Sequence, residues 1–267
     1  MAMTNTEKYM KANFLKPAKR IFLFALIPFM ISACAKSDDP APETEPEIVA
    51  GTVPFYKLQR VENFAVETDD ANPTVPKSAA YYSLENKVEI KAVFAKTARW
   101  DVGFNGLYNS FLSGNNGTNA TNLGYGASGT GAILILEKSF DEVTDIPAEA
   151  QFKTGGTIVG TDKNGDFGEG TGWYLYDFGG RTVGDGSYEK EHVAYAIGDG
   201  LTLANGTKLP ARTIVLRTAT GNFAKIKMIS CYQNAFTAET WFRTTPHMFF
   251  TFEYVLVPKG STKFEIK

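Results

Sequence analysis

Thr213-Ile214-Val215-Leu216-Arg217, a short Gly-containing link at Thr220-Gly221-Asn222, then Phe223-Ala224-Lys225-Ile226-Lys227-Met228 is the stretch that decides the fold. Its first arm is a β-branched and aliphatic run. Its second arm alternates Lys225 and Lys227 with Ala224, Ile226 and Met228, a period of two that gives a strand one wet face and one buried face. Two such arms across a turn read as an antiparallel hairpin.

The same pattern spreads outward. In Met248–Val257, the residues Met248, Phe250, Phe252, Tyr254 and Leu256 share one face. Short runs rich in aromatic and β-branched residues recur between Gly, Asn, Asp and Pro, and no apolar helical spacing extends over 11 or more residues outside the leader. The expected strands are Thr52–Leu58, Phe64–Glu67, Ala79–Leu84, Lys87–Phe94, Trp100–Phe111, Ala132–Phe140, Gly156–Gly160, Trp173–Phe178, Val193–Ile197, Thr213–Thr218, Phe223–Tyr232 and Met248–Val257. The sequence therefore predicts an all-β protein: one domain of antiparallel sheets with hairpins and long loops.

Two loops stand out. Ser113 to Gly131 is nearly all Gly, Asn, Ser and Thr around Tyr125, a composition that buries little; a loop this long is either functional or mobile, and mobility is the expectation. Arg181 to Pro210 is a second irregular region and contains His192, one of two histidines in the chain. Asp162, Asn164 and Asp166 mimic the start of a calcium loop. Phe167 stands where that loop needs glycine, however, and Trp173 where it needs a bidentate Glu. A tight turn at Asn164-Gly165 suits the segment better.

The N-terminus sets the expected location. Lys16, Lys19 and Arg20 lead into an apolar stretch of 13 residues, Ile21 to Ala33, a length that suits a signal-peptide core and is too short to span a bilayer. Small residues precede Cys34, a pattern that resembles a bacterial lipobox and implies lipid attachment at Cys34. An ordinary secretory signal with Cys34 incidental is the alternative. Ala35-Lys36-Ser37-Asp38-Asp39 is similar to the signal that exports Bacteroidota lipoproteins to the outer face of the outer membrane; otherwise it is a solvated tether. Pro40 to Pro46 is extended and semi-rigid by composition. The expected organisation is 1–33 signal peptide, 34–50 acidic, Pro-rich tether and 51–267 all-β domain, lipid-anchored at the cell surface.

Losing residues 1–33 removes five of 27 basic and one of 29 acidic side chains, leaving 22 against 28. This balance and the lack of a basic cluster argue against nucleic acid. Cys231 is left without an intrachain partner if Cys34 is acylated, and it reads as a small apolar core residue.

Several segments in order resemble the HmuY family of Bacteroidota lipoproteins. They are Tyr81-Tyr82-Ser83-Leu84 with Lys87-Val88, Arg99-Trp100-Asp101-Val102-Gly103-Phe104, the Gly-rich loop before Ala132, Gly172-Trp173-Tyr174-Leu175-Tyr176, Arg212–Ile226 and the final Phe249–Val257 strand. The resemblance covers most of residues 52–258. It implies an all-β fold shaped like a cupped hand, with haem held between loops at the finger tips by two histidines flanking the Trp173-like strand. This chain departs from that pattern. Residues 160–170 hold neither His nor Met, and the position just past Tyr176 reads Asp177-Phe178.

Haem iron accepts His, Met, Cys thiolate or Tyr. His192, in Glu191-His192-Val193-Ala194-Tyr195, is the leading candidate ligand, with Tyr188 and Tyr195 as stacking or oxygen partners; each also reads as an ordinary loop residue. His247, opening the last strand, is a second candidate metal ligand or a strand-edge residue. Met228 belongs to the core. An enzyme is disfavoured: there is no Gly-x-Ser-x-Gly elbow, no phosphate-binding glycine loop before a helix and no His-Glu-x-x-His. The expected function is capture of haem or a related porphyrin and its transfer to a TonB-dependent outer-membrane receptor. The alternatives are a non-haem binding or adhesion module, gripping an apolar or glycan ligand with Trp173, Tyr188, Tyr195 and Trp241, and an accessory subunit of a surface complex.

Overall fold

The computed structural model describes residues 53–267. The leader, Cys34 and the tether lie outside the described residues. The hairpin forms as its alternation requires: strands β11 (Thr213–Arg217) and β12 (Phe223–Tyr232) pair with Ile214 opposite Ile226 and Leu216 opposite Ala224. Gly221, at φ 99°, makes the turn, and the Thr218 hydroxyl accepts the Asn222 N–H at 2.9 Å.

The hairpin lies inside a five-stranded antiparallel sheet of order β1 (Leu58–Ala65), β13 (His247–Val257), β12, β11, β6 (Ala132–Leu136). A four-stranded antiparallel sheet carries β3 (Val88–Ile90), β2 (Ala80–Ser83), β4 (Val102–Asn105) and β5 (Phe111–Gly114) in that order. Two hairpins complete the set: β7 (Tyr174–Asp177) with β8 (Val193–Ala196), and β9 (Leu201–Thr202) with β10 (Lys208–Leu209).

The predicted face of β13 builds the main core. Phe250 meets Phe104 at 4.7 Å between ring centroids, and Phe252 meets Tyr82 edge-on at 5.6 Å, which joins the two larger sheets. Aromatic pairs of this kind contribute about 0.5–1.5 kcal/mol each beyond their buried area. The opposite face is also covered, by Phe140, Val143, Phe152 and Phe264 packed on Val215, Val255 and Val257. That cover corrects the expectation of a wet face on β12. Lys225 is 2 % exposed, and its ammonium donates to the Phe140 and Val143 carbonyls at 2.7 and 3.1 Å above the Phe140 ring.

Other boundaries also differ. Thr52–Leu58 and Phe64–Glu67 are replaced by the single strand β1, which is bulged between Val61 and Phe64 where Asn63 takes φ 55°. Trp100–Phe111 is broken by a 3-10 turn at Leu107–Asn109, since Gly106, Tyr108 and Asn109 all take positive φ. In Gly156–Gly160 only Val159 bridges, to Leu112.

The Ser113–Gly131 loop is not a loose chain. Asn115, Asn116 and Asn122 are buried and stitch it shut: the Asn115 amide donates to Thr97 and Trp100 carbonyls, that of Asn116 to Gly131, and that of Asn122 to Gly114 and Thr154. Its glycines permit this closeness; a Cβ on Gly117 would meet the Ala127 carbonyl oxygen at 1.8 Å. Asparagine supplies both donors and acceptors, so a polar loop satisfies its own buried backbone here.

Candidate functional site

Strand register gathers the loops at one end. Ala65 pairs with Phe249, Tyr232 with His247, Ala80 with Phe104, Asn105 with Phe111 and Asp177 with Val193. The Ala194 N–H donates to the Tyr232 hydroxyl at 2.8 Å and aligns the β7–β8 hairpin with the large sheet. Connections 66–79, 106–110, 178–192 and 233–246 therefore share this end, and both histidines stand on it.

The 178–192 connection folds around one buried carboxylate. Asp177 accepts the backbone N–H groups of Arg181 and Thr182 on Oδ1, and of Val183 and Gly184 on Oδ2, at 2.8 to 3.1 Å. A strap to the 233–246 connection follows. The Arg243 guanidinium stacks on Tyr188 at 4.3 Å and pairs with Glu191 at 2.7 Å, while the Lys190 ammonium reaches the Trp241 carbonyl at 2.9 Å. The chain then enters His192 at φ 59° and returns its N–H to the Phe178 carbonyl.

This path sets the His192 ring over β7. Its Nδ1 is 2.9 Å from the Tyr176 hydroxyl, and its ring meets Phe178 edge-on at 4.7 Å. Phe167, from the neighbouring 162–170 loop, contacts Phe178 at 5.8 Å and Tyr176 at 6.2 Å. Phe167 is 79 % exposed and Phe178 49 %, so the cluster presents apolar ring surface to solvent beside an exposed imidazole. Burial, then the charges of Tyr174 and Asp166, pushes the Tyr176 hydroxyl up, while Arg243 pulls the other way. Tyr176 thus stays a neutral hydroxyl able to accept from His192.

Asp162 anchors the adjoining loop. It accepts the Asn164 and Gly172 N–H groups and pairs with the buried Arg212 guanidinium at 3.0 Å. Burial pushes its carboxyl up, but these hydrogen bonds and Arg212 prevail and hold it below its ordinary range. Among the described residues no group of three or more His, Cys, Asp and Glu side chains is arranged to hold a metal ion.

The other sequence candidates separate. Tyr188 is 62 % exposed under Arg243. Tyr195 points the opposite way along β8: it is 2 % exposed, packs on Trp241, and burial pushes its hydroxyl up to about 12. Trp173 and Trp241 are core residues, their indole N–H groups spent on the Ser110 and Ala235 carbonyls. His247 is half-buried, with Nδ1 3.1 Å from the Thr245 carbonyl, Nε2 3.0 Å from Asp70 and its ring 6.0 Å from Tyr108. Sequence reading did not mark Tyr176, Phe167 or Phe178 as partners of His192. An aromatic set between turn residues, Asp166-Phe167-Gly168, was the available signal for Phe167.

The architecture defines an all-β protein whose candidate site is an exposed aromatic and histidine cluster on converging loops. A family model described as HmuY protein matches residues 77–243, which is more than half of the chain, and the chain belongs to the HmuY family. No curated protein matches the sequence.

Proposed function

We propose that this protein captures haem, or a related porphyrin, through His192, and that it does so at the cell surface on a lipid attached to Cys34. Membership in the HmuY family supports a haem-binding role. The observation that carries the reading is the Tyr176–His192 pair on an exposed aromatic surface.

The donor set is compatible with haem iron and narrow. Burial pushes the Cys231 thiol up to about 12, Met228 and Met248 lie in the core, and both nitrogens of His247 face acceptors. Among the described residues, Nε2 of His192 has no such partner. When Nδ1–H donates to the Tyr176 hydroxyl, the Nε2 lone pair is left facing out, the arrangement that outer-shell partners impose on metal-binding histidines. Bound haem supplies an iron for that lone pair and a flat apolar ring for burial. Phe178 offers ring surface beside the imidazole, and the Asp177-centred loop holds His192 in place. We assign binding to this cluster, in keeping with a family associated with haem binding.

The basic, apolar and small-residue leader before Cys34, with the acidic run after it, supports export and anchoring. Transfer to a TonB-dependent outer-membrane receptor completes the proposal. Addition of haem to the purified chain tests it: the Soret band shifts on mixing, and His192→Ala abolishes the shift. The exposed rings of Phe167, Phe178 and Tyr188 also favour a second reading, an adhesion or binding module for an apolar or glycan ligand. That reading predicts binding of such a ligand with the haem spectrum unchanged.

A further inference from the structure

Phe167 is held in a conformation that its own side chain disfavours. Its φ is 62°, the left-handed region that bulky residues avoid. The surrounding loop imposes this. The loop base closes with the Lys163 N–H on the Gly170 carbonyl at 2.8 Å, and the Asp166 N–H donates to the Tyr176 carbonyl at 2.8 Å. The Asp166 carboxylate in turn accepts the Phe178 N–H at 2.8 Å. On the other side, a Cβ on Gly168 would lie 2.0 Å from the Asp162 carbonyl oxygen, and one on Gly165 would lie 2.7 Å from that of Tyr176. The chain is pinned to β7 before Phe167 and to the Asp162–Lys163 base of its own loop after it.

The fold draws little from the ring in return. It is the most exposed of the large apolar side chains among the described residues, and its ring contacts are Tyr176 and Phe178, members of the same cluster. Glycine or asparagine fits such a backbone with less strain, and exposure of an apolar ring to water adds a further cost. His192 repeats the pattern on the facing loop, at φ 59° and exposed. Of the eight non-glycine residues with positive φ among the described residues, these two belong to one exposed aromatic cluster, and strain held at a shared place motivates a functional reading of it.

We infer that Phe167 is a ligand-gripping residue: its ring is kept at the expense of local stability to close over a planar aromatic ligand held at His192. This rests on the porphyrin-binding reading and adds a contact residue to it. Phe167 and Phe178 give the ligand ring faces from two separate loops, so recognition depends on shape as well as on the His192 nitrogen.

Haem titration of the full chain, with thermal melting of the ligand-free protein, tests this in wild type, Phe167→Asn and Phe167→Trp. Phe167→Asn weakens haem affinity at least about tenfold and leaves the ligand-free melting temperature unchanged or raised. Phe167→Trp keeps affinity close to wild type. Wild-type affinity in Phe167→Asn overturns the ring contact alone, as does a clear drop in its melting temperature, which marks a structural ring. Haem left unbound by the wild-type chain overturns both this inference and the reading beneath it.

Discussion

Nδ1 of His192 lies 2.9 Å from the hydroxyl of Tyr176, so a residue of strand β7 sets the orientation of an imidazole carried by the following connection. The pair spans the 178–192 segment that Asp177 folds, and it ties the rigid hairpin to the loop end of the molecule.

Tyr176→Phe removes that orientation and little else, since the ring stays against Phe167 and Phe178. Haem affinity falls about 10- to 100-fold, the range expected for loss of an outer-shell partner, while stability changes by about 1 kcal/mol or less. Spectral titration and urea denaturation check the two halves; unchanged affinity contradicts the assigned role of Tyr176.

Asp162→Ala takes from the buried Arg212 guanidinium its 3.0 Å carboxylate partner and leaves it the Pro210 carbonyl at 2.7 Å and a longer 3.5 Å contact to Glu137. Removal of one partner from a buried pair costs about 3–5 kcal/mol. Urea unfolding measures it, and a loss below about 1 kcal/mol shows that the pair behaves as an exposed one.

Asp101 predicts a pH dependence. Its carboxylate accepts the Ser83 hydroxyl and the Leu84, Glu85 and Ala219 N–H groups. Burial, then the charge of Glu85, pushes it up to about 7. The folded state therefore binds the proton more tightly than the unfolded chain, so the stability it contributes is full below about pH 4 and is lost as pH rises to about 7. Asp101→Asn lacks this titration. The stability advantage of wild type over the variant narrows across that window, by up to about 1.4 kcal/mol per pH unit; an advantage that widens contradicts the shift.

Cys231 is buried in the core, and burial pushes its thiol up to about 12. The thiolate is the reactive form, so native protein at pH 8 leaves Cys231 unlabelled by a thiol reagent and denatured protein labels it. Rapid native labelling at Cys231, read by peptide mass spectrometry, contradicts its placement.

Local alternation carried the fold. The 213–228 hairpin and the Met248–Leu256 face were legible because each residue's side is set by its own neighbours. Strand β1 was not, since Gln59, Arg60, Glu62 and Asn63 place polar residues and a bulge along an edge strand. Lys225 misled for a different reason: the carbonyls that receive its ammonium lie 82 and 85 residues away. The asparagine-rich loop likewise reads as mobile until its partners at Thr97, Trp100 and Thr154 are seen.

The site was half legible. His192 was picked because it is one of two histidines in the chain and sits in a loop region beside aromatic residues. Its seat against Tyr176 and Phe178 was hidden, because it depends on four N–H groups converging on Asp177. Tyr195 looked equivalent to Tyr188 in sequence, but strand pairing turns it inward, to within 5.9 Å of the Trp241 ring.

The proposed capture of a flat ligand at Nε2 of His192 is measured directly by a haem titration followed through the Soret band. The wild-type protein gives a saturable shift, which is lost in His192→Ala and retained in His247→Ala. A haem spectrum unchanged on addition of wild-type protein, or one equally shifted by His192→Ala, contradicts it.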